Sequence, residues 1–187
     1  MAEPRPPVPA LLVVAAFSRH PDALARARAR LEEVLGPVGL AGTPFVFDQT
    51  SYYEATMGAG LRKQLLAFRD LLAPDQLPDV KLRTNVLEHE LAAAGTYPDA
   101  RPVNLDPGLL TLGKFMLATT KDQAHRVYLR DGIYAEATLR YHHGAFEPWP
   151  WTYADYRLAC VHDFLCQARA YYRERLQGRR KTEEERE

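Results

Sequence analysis

The sequence predicts one α/β domain: a single sheet of mixed direction with helices packed on it, a late β-hairpin and a long C-terminal helix. Three observations predict it. Short apolar runs of strand character alternate with helix-period segments through the first half of the chain. Alternating residues on either side of Asp131-Gly132 read as a hairpin. A long amphipathic segment follows the Trp-rich stretch that ends at Trp151.

The 187 residues suffice for one domain with a substantial core. Lys and Arg total 24, as do Asp and Glu, which disfavours a dedicated nucleic-acid binder. Cys160 and Cys166 lie on a predicted helix, about 240° apart around it, so they do not pair there. Unpaired cysteines fit a reducing, cytoplasmic compartment. Arg5 followed by the apolar run Val8–Phe17 imitates a signal peptide, but prolines at 4, 6, 7 and 9 interrupt it. No apolar run approaches the roughly 20 residues that a membrane helix needs.

Taken in order, residues 1–9 read as a flexible Pro-rich leader, and the domain spans 10–176. Ala10–Phe17 is continuously apolar and reads as a central strand. Pro21 opens a helix that Gly36 ends. Residues 43–48 form a second strand. Met57, Leu61, Leu65, Phe68 and Leu72 share a helix face, so 57–72 reads as an amphipathic helix stopped by Pro74. Val80 and Leu82 alternate with Lys81 and Arg83, which gives a strand over 78–84. Asn85 with Glu88 then makes a capping-box-like start to a helix that Gly95 closes. Pro107-Gly108 reads as a turn and Lys114–Thr120 as a strand. In the hairpin, a three-residue loop over 131–133 places Val127, Leu129, Ala135, Ala137 and Leu139 on one face. Arg126, Tyr128, Arg130, Tyr134, Glu136, Thr138 and Arg140 then share the other. Thr152 caps the last helix, whose stripe is Tyr153, Tyr156, Cys160, Val161, Phe164, Ala168 and Tyr171. Residues 177–187 are almost all polar or charged and read as a frayed, disordered tail.

Four groups of residues can carry chemistry. Lys81, Arg83 and Asn85 stand where a strand would hand over to a helix N-terminus, a place that attracts anions; the bland alternative is a simple cap. Thr119, Thr120 and Lys121 end a strand, where ligands of open α/β sheets gather, and their hydroxyls and ammonium suit phosphate oxygens. Arg126, His125 and Glu136 belong to the hairpin. There Glu136 can act as base or metal ligand and His125 as acid or base, while cross-strand pairing explains the same residues structurally. Asn104 and Asp106 can hold a divalent cation such as Mg2+ through water, or cap the turn. The P-loop, dinucleotide, zinc and nucleophile-elbow motifs are all absent. "TTKD" at 119–122 lacks the guanine-specificity spacing.

The segments "FVFDQTSYYEATMG", "KLRTNVLE", "VNLDPGLLTLGKFMLATTKDQAHRVYL", "GIYAEATLRY" and "WTYADYR" together resemble the prokaryotic DUF4416 family, of unknown function, over about residues 10–175. Members of that family often bear a "GTP-binding" label, which implies a nucleotide ligand and no mechanism. The expectation is therefore a cytoplasmic protein that binds a nucleotide or other phosphorylated small molecule in a basic and carboxylate cleft, with phosphoryl transfer or hydrolysis as its chemistry if it is an enzyme. Lys81, Arg83, Lys121 and Arg126 would neutralise the ligand, and Asp106, His125 and Glu136 would do the chemistry. A non-enzymatic protein-interaction module and an RNA-processing factor are the alternatives, and homo-oligomerisation stays open.

Overall fold

The computed structural model describes residues 3–184, with side chains described as far as Arg179. Among the described residues nine strands form one sheet: β1 (Ala10–Ser18), β2 (Val38–Ala41), β3 (Phe45–Val46), β4 (Arg62–Leu72), β5 (Asn104–Leu110), β6 (Lys114–Thr119), β7 (Val127–Arg130), β8 (Ile133–His142) and β9 (Ala145–Pro148). The helices are α1 (Pro21–Leu35), α2 (Glu54–Met57), α3 (Leu77–Ala93) and α4 (Ala159–Glu184). The sheet order is β2-β4-β1-β5-β6-β8-β7, with β3 also on β4 and β9 also on β8.

Every ladder is antiparallel, which corrects the expected mixed direction. The alternation of strands and helices is nevertheless real. α1 joins β1 to β2, which run the same way but have β4 between them. α3 joins β4 to β5, which run the same way with β1 between them. Two interleaved crossovers of this kind make the split βαβ arrangement. The meander β6–β9 extends this core from the edge of β5.

β1 is buried along its whole length because both its faces are covered. Leu12, Val14 and Ala16 face Leu24 and Leu31 of α1 and Leu77, Val80 and Leu87 of α3. Leu11, Val13 and Ala15 face Val161, Phe164, Leu165 and Ala168 of α4. A third small cluster, Phe17, Phe47, Met57 and Leu61, closes one end.

Six local expectations are corrected. Residues 62–72 are a strand, since Leu61, Lys63, Leu65 and Ala67 alternate inward; a buried lysine hides the period. Residues 78–84 are helical: α3 buries Leu77, Val80, Lys81, Thr84 and Leu87, and again a buried lysine breaks the apolar pattern. No strand-to-helix junction therefore exists at Asn85. Pro107-Gly108 lies inside β5, and the chain turns at 111–114 instead. The hairpin loop is the two-residue Asp131-Gly132, both with positive φ, and Arg130 pairs with Ile133. Irregularities in register next to Leu129 and Thr138 then redistribute the faces, so Glu136 and Thr138 are buried while Val127 and Tyr128 are exposed. Thr152 caps no helix; its hydroxyl serves Trp149 N–H and the Thr138 carbonyl. Cys160 is exposed, both cysteines are free, and α4 continues to Glu184, into the stretch read as frayed. Residues 1–2 and 185–187 of the expected leader and tail lie outside the described residues. Among the described residues no helix is long and apolar enough to cross a membrane.

The feature that places the site is where β5 and β6 part. They pair only over Gly108↔Leu117, Leu109↔Met116 and Leu110↔Phe115. Beyond Gly108 the next β5 residue is Pro107, which has no N–H to give. Further on, Leu105 receives from α3 what a neighbouring strand would have supplied. Its N–H donates to Glu88 Oε1 at 2.7 Å, and its carbonyl accepts from Lys81 Nζ at 3.0 Å. Gly108 is the last close approach: a Cβ there would meet the Met116 carbonyl and the Phe115 ring, whose Cζ lies at 2.8 Å. Gly108→Ala should therefore force β6 away from β5 and cost about 1–3 kcal/mol by overpacking, read as a lower guanidinium midpoint.

Candidate functional site

Where β5 and β6 diverge, a cleft of about 510 Å³ opens between the split βαβ core and the meander. α3 contributes Lys81, Asn85 and Glu88. β5 contributes Asn104 and Asp106. The end of β6 and the loop after it contribute Thr119, Thr120 and Lys121, and Arg126 and Glu136 come from the hairpin. Nine of the eleven residues singled out from the sequence thus line one space. The exceptions are Arg83, exposed on α3, and His125, which stands behind Glu136. His125 donates from Nε2 to Glu136 Oε2 at 3.1 Å, and its ring stacks on Trp151.

The charges occur as pairs. Lys63 Nζ lies 2.6 Å from Asp155 Oδ2, and its ammonium also faces the rings of Tyr156 (4.5 Å), Phe47 (4.9 Å) and Phe17 (5.2 Å). Lys81 lies 3.3 Å from Asp106 Oδ1, while Asn104 donates to Asp106 Oδ2 at 2.8 Å. Arg101 reaches Glu88 at 2.9 Å and also donates to Asn104. Arg126 Nε donates to Glu136 Oε2 at 2.8 Å; its other nitrogens reach the Lys121 carbonyl (2.9 Å) and Tyr153 Oη (2.5 Å). Lys121 alone among the five lining cations has no carboxylate partner among the described residues. Its ammonium donates to the exposed phenol of Tyr52 at 2.8 Å.

Accessibility separates the acids. The Glu136 side chain is 1% exposed and holds Arg126 and His125, so it is an anchor and poorly placed as a base. The Asp106 side chain is 27% exposed and is the most open of the four lining carboxylates. Three phenols, Tyr53, Tyr153 and Tyr156, feel its charge. Burial first, and then neighbouring carboxylates, pushes each of them up, so they stay protonated near neutral pH. Among the described residues no three His, Cys, Asp or Glu side chains converge as a metal cage, so Asp106 and Glu136 do not form one.

Sequence reasoning missed Lys63, Glu88, Arg101, Gln49, Asp155 and the tyrosines of this cleft. A signal existed. Gln49, Tyr52 and Tyr53 fall in "FVFDQTSYYEATMG", Glu88 in "KLRTNVLE", and Tyr153, Asp155 and Tyr156 in "WTYADYR".

Two expectations follow. Lys63→Met leaves Asp155 buried beside aromatic rings without its partner and should cost about 3–5 kcal/mol, whereas Lys121→Met should cost under about 0.5 kcal/mol; denaturant midpoints compare them. Glu88 is raised above the usual carboxylate range, chiefly by burial, against the opposing pull of Lys81, the Leu105 N–H and Arg101. A carboxyl raised on folding stabilises most below its unfolded pKa, and that contribution is lost as pH rises through the folded one. Glu88→Gln, which keeps an acceptor for Leu105, should therefore compare worst with wild type near pH ~4 and gain on it by about pH 7, by a few degrees in Tm-versus-pH scans.

No curated protein and no solved structure matches this chain. The family described as "Domain of unknown function (DUF4416)" matches residues 8–172, and the chain belongs to that family.

Proposed function

We propose that the cleft between β5 and β6 binds a phosphorylated small molecule of the nucleotide or sugar-phosphate class. One observation carries this reading: five cations and four carboxylates line the cleft, and the surplus cation is Lys121, at its rim. Among the described residues its ammonium is engaged only by a solvent-exposed phenol, which an anion can displace at small cost. Thr120 lines the same cleft, and Arg126 donates to the Lys121 main-chain carbonyl. The inner pairs fix the walls and leave the ligand's charge to the rim. A magnesium ion would arrive on the ligand's phosphates, because that metal commonly takes one or two carboxylates together with substrate phosphates. If the bound ester is also hydrolysed or transferred, Asp106 is the residue placed to orient the attacking oxygen, since it is the most accessible acid and is held by Lys81 and Asn104. We place the protein in the cytoplasm, in keeping with its two free cysteines.

A second reading, a protein-interaction module, is favoured by the edge strand β7, where Val127, Tyr128 and Leu129 are exposed in succession. Calorimetric titration with nucleotides and sugar phosphates, with and without magnesium, separates the two. Binding should be weakened about tenfold or more by Lys121→Ala and left unchanged by Val127→Lys. Absence of heat with every phosphorylated compound removes the first reading, and a stoichiometric protein partner lost in Val127→Lys would establish the second.

A further inference from the structure

Among the described residues, three buried side-chain atoms have no hydrogen-bond partner: Gln49 Oε1, Trp149 Nε1 and Tyr156 Oη. Two of the three, Gln49 and Tyr156, line the cleft. Orphaned buried polar atoms are rare, and each costs free energy in the empty protein. Tyr156 is 2% exposed, and its ring is fixed by the Lys63 ammonium and by Phe115. Its oxygen lies in the influence of Asp106, Asp155 and Glu136, yet it bonds to none of them. The amide of Gln49 is oriented as well. Its Nε2 donates to Asp48, so the atom left without a partner is the carbonyl.

The two orphans ask for opposite things. A protonated phenol seeks an acceptor, and an amide carbonyl seeks a donor. An ionised phosphate ester offers only acceptors at phosphorus, and inorganic phosphate keeps a P–OH donor fixed beside its own charged oxygens. A hydroxyl offers both. From this we infer that the cleft recognises a hydroxyl-bearing phosphate ester, whose sugar-type hydroxyls meet Tyr156 and Gln49 while its phosphate meets Lys121, and that it discriminates against inorganic phosphate and polyphosphates. Asp106 adds a half-open acceptor for a further hydroxyl, and the Tyr52 and Tyr53 rings supply an apolar wall, the usual make-up of a small-molecule site. The inference rests on the phosphate-binding reading above and narrows it.

Tyr156→Phe tests it, because the substitution deletes only the oxygen that has no partner. The ligand-free variant should melt a few degrees above wild type, since a buried unsatisfied group is gone. In calorimetry, wild type should bind ribose 5-phosphate at least about tenfold more tightly than inorganic phosphate or tripolyphosphate. Tyr156→Phe should cut the ribose 5-phosphate affinity about five- to tenfold and leave inorganic phosphate unchanged. Gln49→Met should act the same way through the second orphan. Uridine 5′-monophosphate distinguishes the sources: parity with ribose 5-phosphate assigns a sugar phosphate, and a tighter nucleotide assigns a nucleotide, each in support.

Equal affinity for ribose 5-phosphate and inorganic phosphate would overturn the inference and leave phosphate binding standing. So would a Tyr156→Phe protein that melts lower than wild type, or one that loses both ligands equally. Silence with every phosphate compound would remove both readings.

Discussion

Two strands of one sheet come apart, and the backbone groups exposed by their parting have to be satisfied. This constraint governs the molecule. A sheet edge turned inward is costly unless each N–H and C=O finds a partner. On β5 the solution is local. Pro107 has no N–H to leave stranded, and Leu105 is served by Glu88 and Lys81 from the helix beneath. Those two side chains act as a surrogate strand. The same residues then become the floor of the cleft, so the device that keeps the sheet split also furnishes the site. Arg101 and Asp106 complete it by pairing with Glu88 and Lys81, and Asn104 ties the two pairs together.

The remaining pairs answer the same need from the opposite wall. Taking a lysine or an arginine out of water is expensive, and an ion pair offsets that only when its geometry is good and its other donors are used. Lys63 has Asp155 and three ring faces, and Arg126 uses all three nitrogens. An apolar core of the same volume would be no less stable, so these pairs are better explained by the shape they impose than by the energy they contribute. They hold the 153–156 segment and the hairpin at fixed positions across the opening. Of the three buried polar atoms left without partners among the described residues, two belong to residues that line the cleft, Gln49 and Tyr156, and one, Trp149 Nε1, does not.

This also explains how much was legible in the sequence. The buried strand β1, the helices α1 and α4, the second half of α3 and the existence of the hairpin follow from apolar periodicity, and periodicity is reliable where the buried face is apolar. Most of the misread segments border the cleft. Lys63 occupies an inward position of β4, so a strand resembles an amphipathic helix. Lys81 occupies an inward position of α3, so a helix resembles a strand. Pro107-Gly108 imitates a turn because one residue omits a donor and the other admits a close carbonyl. Glu136 and Thr138 are buried polar residues in β8, and they reverse the inferred faces of the hairpin. Local rules fail where polar groups are buried for a reason other than packing, so the failures themselves outline the site. Nine candidate residues were visible because they are polar at the ends of apolar runs. Lys63, Asp155 and Tyr156 were not, because nothing in one dimension says that they meet.

The charge balance of the cleft constrains how it can select a ligand. With four of five cations already neutralised by carboxylates a few ångströms away, the long-range field at the opening is weak, and electrostatic steering of the kind that draws polyanions into basic grooves is small. For the proposed ligand, affinity would then come from short-range contacts: directed hydrogen bonds, the tyrosine wall and one rim ammonium. Such a site favours shape and hydroxyl pattern over total charge. The proposed ligand, one compact polar molecule in place of a larger polyanion, matches a nearly neutral cleft in a chain with equal numbers of basic and acidic residues.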